Sequence, residues 1–300
     1  MLDFSDSSYM YTDTSMSSNV SSSGDDIVRI KNKAYALQSN TTNAFGQYLV
    51  GGVDGQGNEP HYTTGGANSK SYASFKINGP LWCSPQEGGF NLDGTLNITA
   101  STVDFSNFTF FTVFQPDINE MLETNDIGNF VGDSRLATLF NFLGKSGGSN
   151  ASARLRFNGG VGQYGGTTDT WRFTQFLGSF IQTDTGISGD SNVQILTGLL
   201  GGTNASNIYK NGNTSEGVLG FTTNAGSNTF TVNVQERFSI GAELTRANPF
   251  LIQSKSNYGE TDDQEDDQTN GIYEVIFYDR KLSLDETSSV EVYLKTKYGI

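Results

Sequence analysis

Residues 260–267 form a strongly acidic run and are the first place in the sequence where chemistry could occur. Glu260, Asp262 and Glu265 have the Glu-x-Asp-x-x-Glu spacing with which glycan hydrolases place their paired carboxylates. Such a pair needs a rigid backbone and a partly apolar setting, because burial raises the pKa of the acid toward neutrality. The intervening residues are all polar. We therefore expect a solvated loop and no enzymatic activity, with a polysaccharide hydrolase or lyase as the alternative.

The same run is a candidate calcium site. Asp262, Asp263, Asp266 and Asp267 supply hard oxygen ligands within one loop, and calcium binds such ligands. A calcium loop of the EF-hand type has a glycine at its sharp turn and alternates its ligands, whereas here glycines only flank the run. A bound Ca²⁺ ion and a solvated charge run both remain open, and no other cofactor is expected.

Aromatic residues beside polar ones provide the candidate glycan-binding residues: Tyr164, Trp171, Arg172 and Asp169. Sugars stack on exposed aromatic rings while neighbouring polar groups bind their hydroxyls. The four residues lie in a glycine-rich insert at about residues 131–185. Trp171 also has the strand parity of Phe173, so a place in the core is the alternative.

Other reaction classes find little support. His61 and Cys83 are the only histidine and cysteine, so a Ser-His-Asp set or a zinc site would depend on them, and no internal disulfide can form. We expect His61 to be packed or at the surface, and Cys83 to be a buried thiol. The glycine pairs lack the strand, the helix and the following Lys-Ser/Thr of a phosphate-binding loop.

The composition limits the partners. A formal net charge of −14 opposes both a phosphate backbone and an anionic lipid surface, so neither nucleic acid nor a membrane is expected as a partner. Charged residues make up 17% of the chain, below the roughly 25% of an average globular protein. Glycine, serine, threonine and asparagine replace them, which is typical of short strands joined by tight turns.

The C-terminal segment contains a strand followed by a helix. Tyr273, Val275 and Phe277 recur at the two-residue period of a strand and should share one face. Ser283 and Glu286 then form a capping box, and Gly299 should end the helix. We expect this helix to pack across one edge of a sheet.

Strand patterns recur along the chain. Residues 108–114 are apolar on both faces, as expected of a central strand covered on each side. Leu155 and Phe157 alternate with Arg154 and Arg156, and Asn-Gly at 211–212 predicts a hairpin turn. One short helix could form over residues 135–143. The sequence predicts a single all-β domain over residues 1–300, a sandwich of two antiparallel sheets, with the serine-rich residues 12–26 as a mobile arm or a packed loop.

Several segments carry a resemblance to a known family. Residues 273–283 and 293–300 resemble the C-terminus of laminin-G-like, concanavalin A-like domains, which occur in bacteriophage virion proteins and bacterial surface proteins. Earlier segments resemble further landmarks of that family and follow in its order, namely LDFSDSS at 2–8, EPHYTTGG at 59–66, FTFFTVF at 108–114 and YKNG at 209–212.

The resemblance implies a jelly-roll sandwich and a non-enzymatic role. We expect a virion structural or attachment protein, such as a capsid decoration, head fibre or tail-associated component. Its expected partners are other virion proteins and host cell-surface glycans, and a homo-oligomer, such as a trimer, fits that setting. Met1 is followed by domain-like sequence without a basic or apolar stretch, which favours a virion location over an exported bacterial adhesin, the alternative.

Overall fold

The computed structural model of the chain describes residues 1–34, 48–51, 59–75, 81–83, 101–104, 107–115, 137–146, 152–161, 169–177, 180–188, 192–201, 206–221, 229–232, 237–240, 271–278 and 280–300. These residues contain nineteen strands and one α-helix. In chain order they are β1 (Leu2–Asp3), β2 (Met10–Tyr11), β3 (Arg29–Lys31), β4 (Tyr48–Gly51), β5 (His61–Thr63), β6 (Tyr72–Ser74), β7 (Leu81–Cys83), β8 (Ser101–Asp104), β9 (Asn107–Gln115), β10 (Ala137–Ser146), β11 (Ser152–Val161), β12 (Asp169–Leu177), β13 (Phe180–Ser188), β14 (Gln194–Gly201), β15 (Ser206–Lys210), β16 (Asn213–Phe221), β17 (Thr229–Val232), β18 (Arg237–Ile240), β19 (Gly271–Tyr278) and α1 (Leu284–Tyr298).

The strands form two antiparallel sheets. The smaller sheet has eight strands in the order β16-β15-β14-β9-β19-β6-β5, with β1 also paired to β19. The larger sheet has eleven strands in the order β13-β12-β11-β10-β18-β7-β4-β3-β2, and β17 joins β10 to β8. The prediction of an all-β chain with two antiparallel sheets and a C-terminal helix is confirmed.

The main core lies between the two sheets. Phe110 and Val275 of the smaller sheet belong to the same buried cluster as Ile30, Leu49 and Ile240 of the larger sheet. Each side chain is at most 3% exposed, and burying one aliphatic or aromatic side chain stabilises a fold by about 1.5–3 kcal/mol. The sandwich is therefore held by apolar packing between sheets that derive from distant parts of the chain.

The helix α1 adds a third layer on the outer face of the smaller sheet. Leu294 and Tyr298 of α1 pack against Phe111, Val113 and other strand residues in a second buried cluster. This explains why β9 is apolar on both faces, as the sequence predicted. The expectation that α1 packs across an edge is wrong, because its apolar side lies over the strands themselves.

Both ends of α1 are closed as the sequence predicted. The backbone N–H of Ser283 donates to Glu286 Oε2 at 2.9 Å, while Ser283 Oγ accepts from the N–H of Glu286. At the other end Gly299 has φ 70° and its N–H donates to the carbonyl of Lys295. These contacts satisfy backbone groups that a helix end leaves free.

The face pattern predicted for β19 is wrong at Tyr273. Ile272 pairs with Phe114 and Glu274 pairs with Val113, so Tyr273 is the extra residue of a β-bulge. The bulge turns Tyr273 toward α1, while Val275 lies in the core between the sheets. A period of two fails here because one strand carries one more residue than its partner.

The helix predicted over residues 135–143 is also wrong, since Ala137–Ser146 forms the strand β10. A register shift lies between Thr138 and Phe140 in the pairing with β11. The extra residue makes Leu139 and Phe140 adjacent apolar residues in the sequence. Adjacent apolar residues break the two-residue period of a strand and resemble the apolar spacing of a helix. Pairing with β11 and β18 decides the structure.

Two surface segments complete the description. The turn at Asn211 and Gly212 has φ values of 51° and 70°, which confirms the predicted hairpin between β15 and β16. The serine-rich residues 12–26 lie on the sandwich as a loop. Val20 is 2% exposed, and the carboxylate of Asp13 accepts the backbone N–H of Ser18 at 2.7 Å.

Candidate functional site

The larger sheet has one face in the core and one face turned away from it. Ile30, Leu49 and Ile240 point into the core. Because successive residues of a strand point to opposite sides, and directly paired residues share a side, the register assigns the other strand positions to a face. The face turned away from the core, named the outer face below, is the candidate site.

One row of paired positions crosses the outer face over nine strands. At about 4.8 Å between neighbouring strands, this row extends about 38 Å. From β2 to β13 its positions are Tyr11, Arg29, Val50, Trp82, Ser239, Asn141, Arg156, Thr174 and Gln182.

Two shorter rows flank it and add arginines. On one side Arg237 pairs with Leu143, which pairs with Arg154. On the other side Arg172 pairs with both Asn158 and Asp184. The outer face thus carries five arginine positions, at residues 29, 154, 156, 172 and 237. A guanidinium binds a carboxylate through two parallel hydrogen bonds, while Asn, Gln and Thr can bind hydroxyl groups.

Side-chain geometry is described at the β2–β4 end of this face. Lys31 Nζ donates to the hydroxyl of Tyr11 at 2.8 Å, and the guanidinium carbon of Arg29 lies 5.1 Å from the centre of the Tyr48 ring. Arg29 Nε and Nη1 are buried and have no hydrogen-bond partner in the part of the chain described above. A buried donor left in that state costs free energy.

Three of the sequence-predicted glycan-binding residues lie on β12, and their role stays a prediction. Trp171 and Asp169 share the core-side parity of Phe173, which is in register with Phe157, whereas Arg172 falls on the outer face. Tyr164 lies outside the described residues. The strand therefore does not bring Trp171 and Arg172 to one side of the sheet.

The predicted calcium ligands Asp262, Asp263, Asp266 and Asp267 also lie outside the described residues. Within the described ranges there is no group of three or more His, Cys, Asp and Glu residues that could hold a metal ion. His61 Nε2 lies 3.1 Å from Asp26 Oδ1, and its side chain is about half exposed. Among the described helices, none is long and apolar enough to cross a membrane.

The sequence reasoning missed most of the outer face. Arg154 and Arg156 alternate with apolar residues, and this alternation correctly indicated a strand. Arg237 likewise alternates with Phe238 and Ile240 at the opposite strand parity. The alternation does not indicate that β18, β10, β11 and β12 are neighbours in one sheet. Only this strand order brings the arginine positions close together.

A second cluster of charged groups joins the two ends of the chain. Lys297 Nζ lies 2.9 Å from Asp3 Oδ2 and 2.8 Å from Glu274 Oε2. Lys33 Nζ contacts Asp3 at 2.9 Å, and the hydroxyl of Tyr298 donates to Glu274 at 2.8 Å. The side chains of Asp3 and Glu274 are 2% and 0% exposed.

The two carboxylates of this cluster have pKa values moved in opposite directions. Burial and the nearby charge of Asp3 raise the pKa of Glu274, although Lys297 opposes them. Burial also acts to raise the pKa of Asp3, but hydrogen bonds from Ser5, Lys297 and Lys33 outweigh it and the pKa is lowered. A split of this kind is what acid–base catalysis uses. Here both carboxylates are buried and already bonded within the protein, so the cluster acts as a structural clamp.

This clamp makes the alkaline limit of stability predictable. Burial raises the pKa of Tyr298 above its ordinary value of 10, so on raising the pH the unfolded chain loses this proton before the folded one. The free energy of unfolding should therefore fall as the pH rises above 10. In Tyr298→Phe the slope between pH 10 and 11 should be shallower by up to about 1.4 kcal/mol per pH unit. Urea unfolding at a series of pH values measures it, and an unchanged slope would contradict the assignment.

The fold defines a class: a two-sheet antiparallel sandwich with a C-terminal helix on its smaller sheet. No protein-family model matches the chain, and no curated protein matches it. Solved structures similar to it include the binding domain of Paraclostridial Mosquitocidal Protein 1, at 13% identity and a TM-score of 0.46, over 91% of this chain and 51% of that one.

Two others are a Trypanosoma rangeli sialidase in complex with sialic acid and the binding domain of botulinum neurotoxin serotype G. The sialidase has 13% identity and a TM-score of 0.42, over 82% of this chain and 33% of that one. The neurotoxin domain has 12% identity and a TM-score of 0.41, over 81% of this chain and 48% of that one. The chain thus spans a third to a half of these structures. With TM-scores below 0.5, their properties are not transferred to it.

Proposed function

We propose that the chain is a non-enzymatic glycan-binding protein of the concanavalin A-like, jelly-roll type, and that it serves as a structural or attachment component of a virion. The virion role and the jelly-roll topology are supported by the sequence resemblance of both termini. Glycan binding is supported by one observation above all. The register of the larger sheet aligns the positions of Ser239, Asn141, Arg156, Thr174 and Gln182 in one row, next to Trp82.

The dimensions and chemistry of the row suit an extended saccharide. A row of about 38 Å is long enough for several sugar units to lie across the strands. Asn141, Thr174 and Gln182 are residue types that both donate and accept hydrogen bonds, Arg156 is a type that only donates, and tryptophan, the residue at position 82 of the same row, is a type on which sugars stack. Each contact of this kind is weak. A homo-oligomer, such as a trimer, on a particle would convert weak contacts into high avidity toward host cell-surface glycans.

A glycan array probed with the full chain tests the proposal. We expect retained glycans whose binding falls about two- to tenfold in Thr174→Ala, because one hydrogen bond to the ligand is lost. Trp82→Ala should reduce it further. The matched control is Thr214→Ala, an exposed threonine of β16 in the smaller sheet, which should bind as the unaltered protein does. Retention of no glycan, or equal losses in Thr174→Ala and Thr214→Ala, would contradict the proposal.

A further inference from the structure

We propose that Lys297 and Asp3 join in a covalent amide bond, an internal isopeptide crosslink that the protein forms by itself, with Glu274 as the residue that transfers the protons. Asp3 of β1 and Glu274 of β19 are directly paired across their strands, so the two carboxylates lie side by side. Lys297 of α1 reaches both of them, at 2.9 Å from Asp3 and 2.8 Å from Glu274. The crosslink goes beyond glycan binding and does not depend on it.

The reacting atoms are already close together. Lys297 Nζ lies 2.9 Å from both Oδ1 and Oδ2 of Asp3. Two equal distances of this length place Nζ within about 3.3 Å of the carboxyl carbon Cγ, and reacting atoms about 3–3.5 Å apart are in a near-attack arrangement. An amine and a carboxyl group held in this way react as though each were highly concentrated. No movement of the chain is needed to bring them together.

The surroundings of these groups favour a neutral product. The side chains of Asp3 and Glu274 are 2% and 0% exposed, and that of Lys297 is 14% exposed. Charged groups pay a large desolvation cost when buried, whereas an amide carries no charge. Burial also keeps away the water that would hydrolyse the bond. The ion pair between Lys297 and Asp3 is therefore the state before the reaction.

Glu274 is placed to take the proton that Lys297 must lose. Burial acts to lower the pKa of Lys297, but the contacts with Glu274 and Asp3 outweigh it and the pKa is raised. The ammonium group therefore gives up its proton only to a base in direct contact with it. Burial and the charge of Asp3 raise the pKa of Glu274, so its carboxylate is a stronger base than an exposed one.

The reaction balances without any further reagent. The Nζ–Cγ bond forms, and one Cγ–O bond of Asp3 breaks. The ammonium group of Lys297 loses two protons, which Glu274 passes in turn to the departing oxygen, so the products are the amide and one water molecule. Glu274 ends with the same protonation state with which it began.

Two donors face the charge that develops on Asp3 during this step. When Nζ attacks Cγ, negative charge concentrates on the oxygens of the former carboxylate. Lys33 Nζ lies 2.9 Å from Oδ2, and the backbone nitrogen of Ser5 lies 3.1 Å from Oδ1. Donors fixed in advance at such positions stabilise the transition state of acyl transfer.

The crosslink would join two distant parts of the chain. Asp3 and Lys297 are 294 positions apart in the sequence. A bond that closes a loop of this length strongly restricts the unfolded chain. It would hold β1 and α1 together even when the strands between them separate, which suits a structural component exposed to mechanical or chemical stress.

Mass spectrometry of the denatured full chain tests the proposal directly. We expect the intact mass to fall short of the mass of the sequence by one water molecule. Complete digestion with trypsin should give a branched peptide that joins residues 1–29 to residues 296–300, because an amide-bonded Lys297 is no longer a cleavage site. A chain with the full mass of its sequence and no branched peptide would overturn the proposal.

Three variants assign the roles, with circular dichroism to confirm that each is folded. Lys297→Arg keeps the positive charge but should have the full mass, because a guanidinium group stays protonated and does not attack. Glu274→Gln should slow the formation of the crosslink by at least about a hundredfold. The matched control is Glu291→Gln, which alters another buried carboxylate of α1, bonded to Thr197 at 2.8 Å, and should crosslink as the unaltered protein does.

The other outcomes contradict the assignment. Loss of one water molecule in Lys297→Arg would give the bond to another lysine, such as Lys33, and overturn the role of Lys297. Full crosslinking in Glu274→Gln would overturn the role of Glu274. Equal losses of the crosslink in Glu274→Gln and Glu291→Gln would do the same, because any disturbance under α1 would then prevent the reaction.

Discussion

Replacing Lys297 with methionine is expected to lower the free energy of unfolding by about 3–5 kcal/mol. The ammonium group of Lys297 contacts both Asp3 and Glu274, whose carboxylates are almost completely buried. Methionine fills similar space but leaves these two carboxylates close together with less compensating charge. Asp3 lies in β1, Glu274 in β19 and Lys297 in α1. Removing the ammonium group therefore weakens the contacts that hold these three elements together. Chemical denaturation at neutral pH measures it.

A second substitution shows whether charge is the cause. Adding Glu274→Gln to Lys297→Met removes the charge of the buried carboxylate that loses its ammonium partner, so the double variant should be more stable than the sum of the single losses predicts. The control is Arg280→Met, which breaks the exposed ion pair with Glu286 and should have a much smaller effect. Strict additivity of the two substitutions would contradict the clamp, as would equal losses in Lys297→Met and Arg280→Met.

The parts of this fold that could be predicted from the sequence are those set by local signals. The capping box at Ser283, the left-handed Gly299 and the Asn211-Gly212 turn each depend on residues within a few positions. The central position of β9 was also predictable, because its apolar residues fall on both faces, which is typical of a strand covered on each side. In each case the signal and the structure it specifies lie in the same short segment.

The parts that could not be predicted depend on strand partners. The bulge at Tyr273 and the register shift after Thr138 arise where two paired strands differ in length, and a single strand does not record this. The clamp joins residues 294 positions apart, Asp3 and Lys297. The outer-face arginines likewise belong to strands whose adjacency follows from the whole topology. The candidate site is therefore a property of the sheet order rather than of any motif.

Gly198 illustrates how such a pairing fixes the choice of a residue. Gly198 on β14 is directly paired with Phe110 on β9, and the Phe110 ring covers it. A Cβ added at Gly198 would lie 2.0 Å from Phe110 Cε1 and 2.4 Å from Cζ. The ring is fully buried and has no free space on the surface to enter. A glycine is therefore required, even though glycine by itself weakens a strand.

Gly198→Ala is accordingly expected to lower the free energy of unfolding by about 1–3 kcal/mol, the cost of overpacking a core. The matched control is Gly271→Ala on β19, where the added Cβ would lie 3.0 Å from the partly exposed ring of Tyr72, so the ring can shift and the loss should be smaller. Leucine at position 110 lacks the two ring atoms nearest to the new methyl group. Phe110→Leu should therefore cost less in the Gly198→Ala background than in the unaltered protein, and thermal unfolding of the four proteins measures this coupling. An equal cost in both backgrounds would mean that the ring does not lie over Gly198, and the register between β9 and β14 would then be wrong.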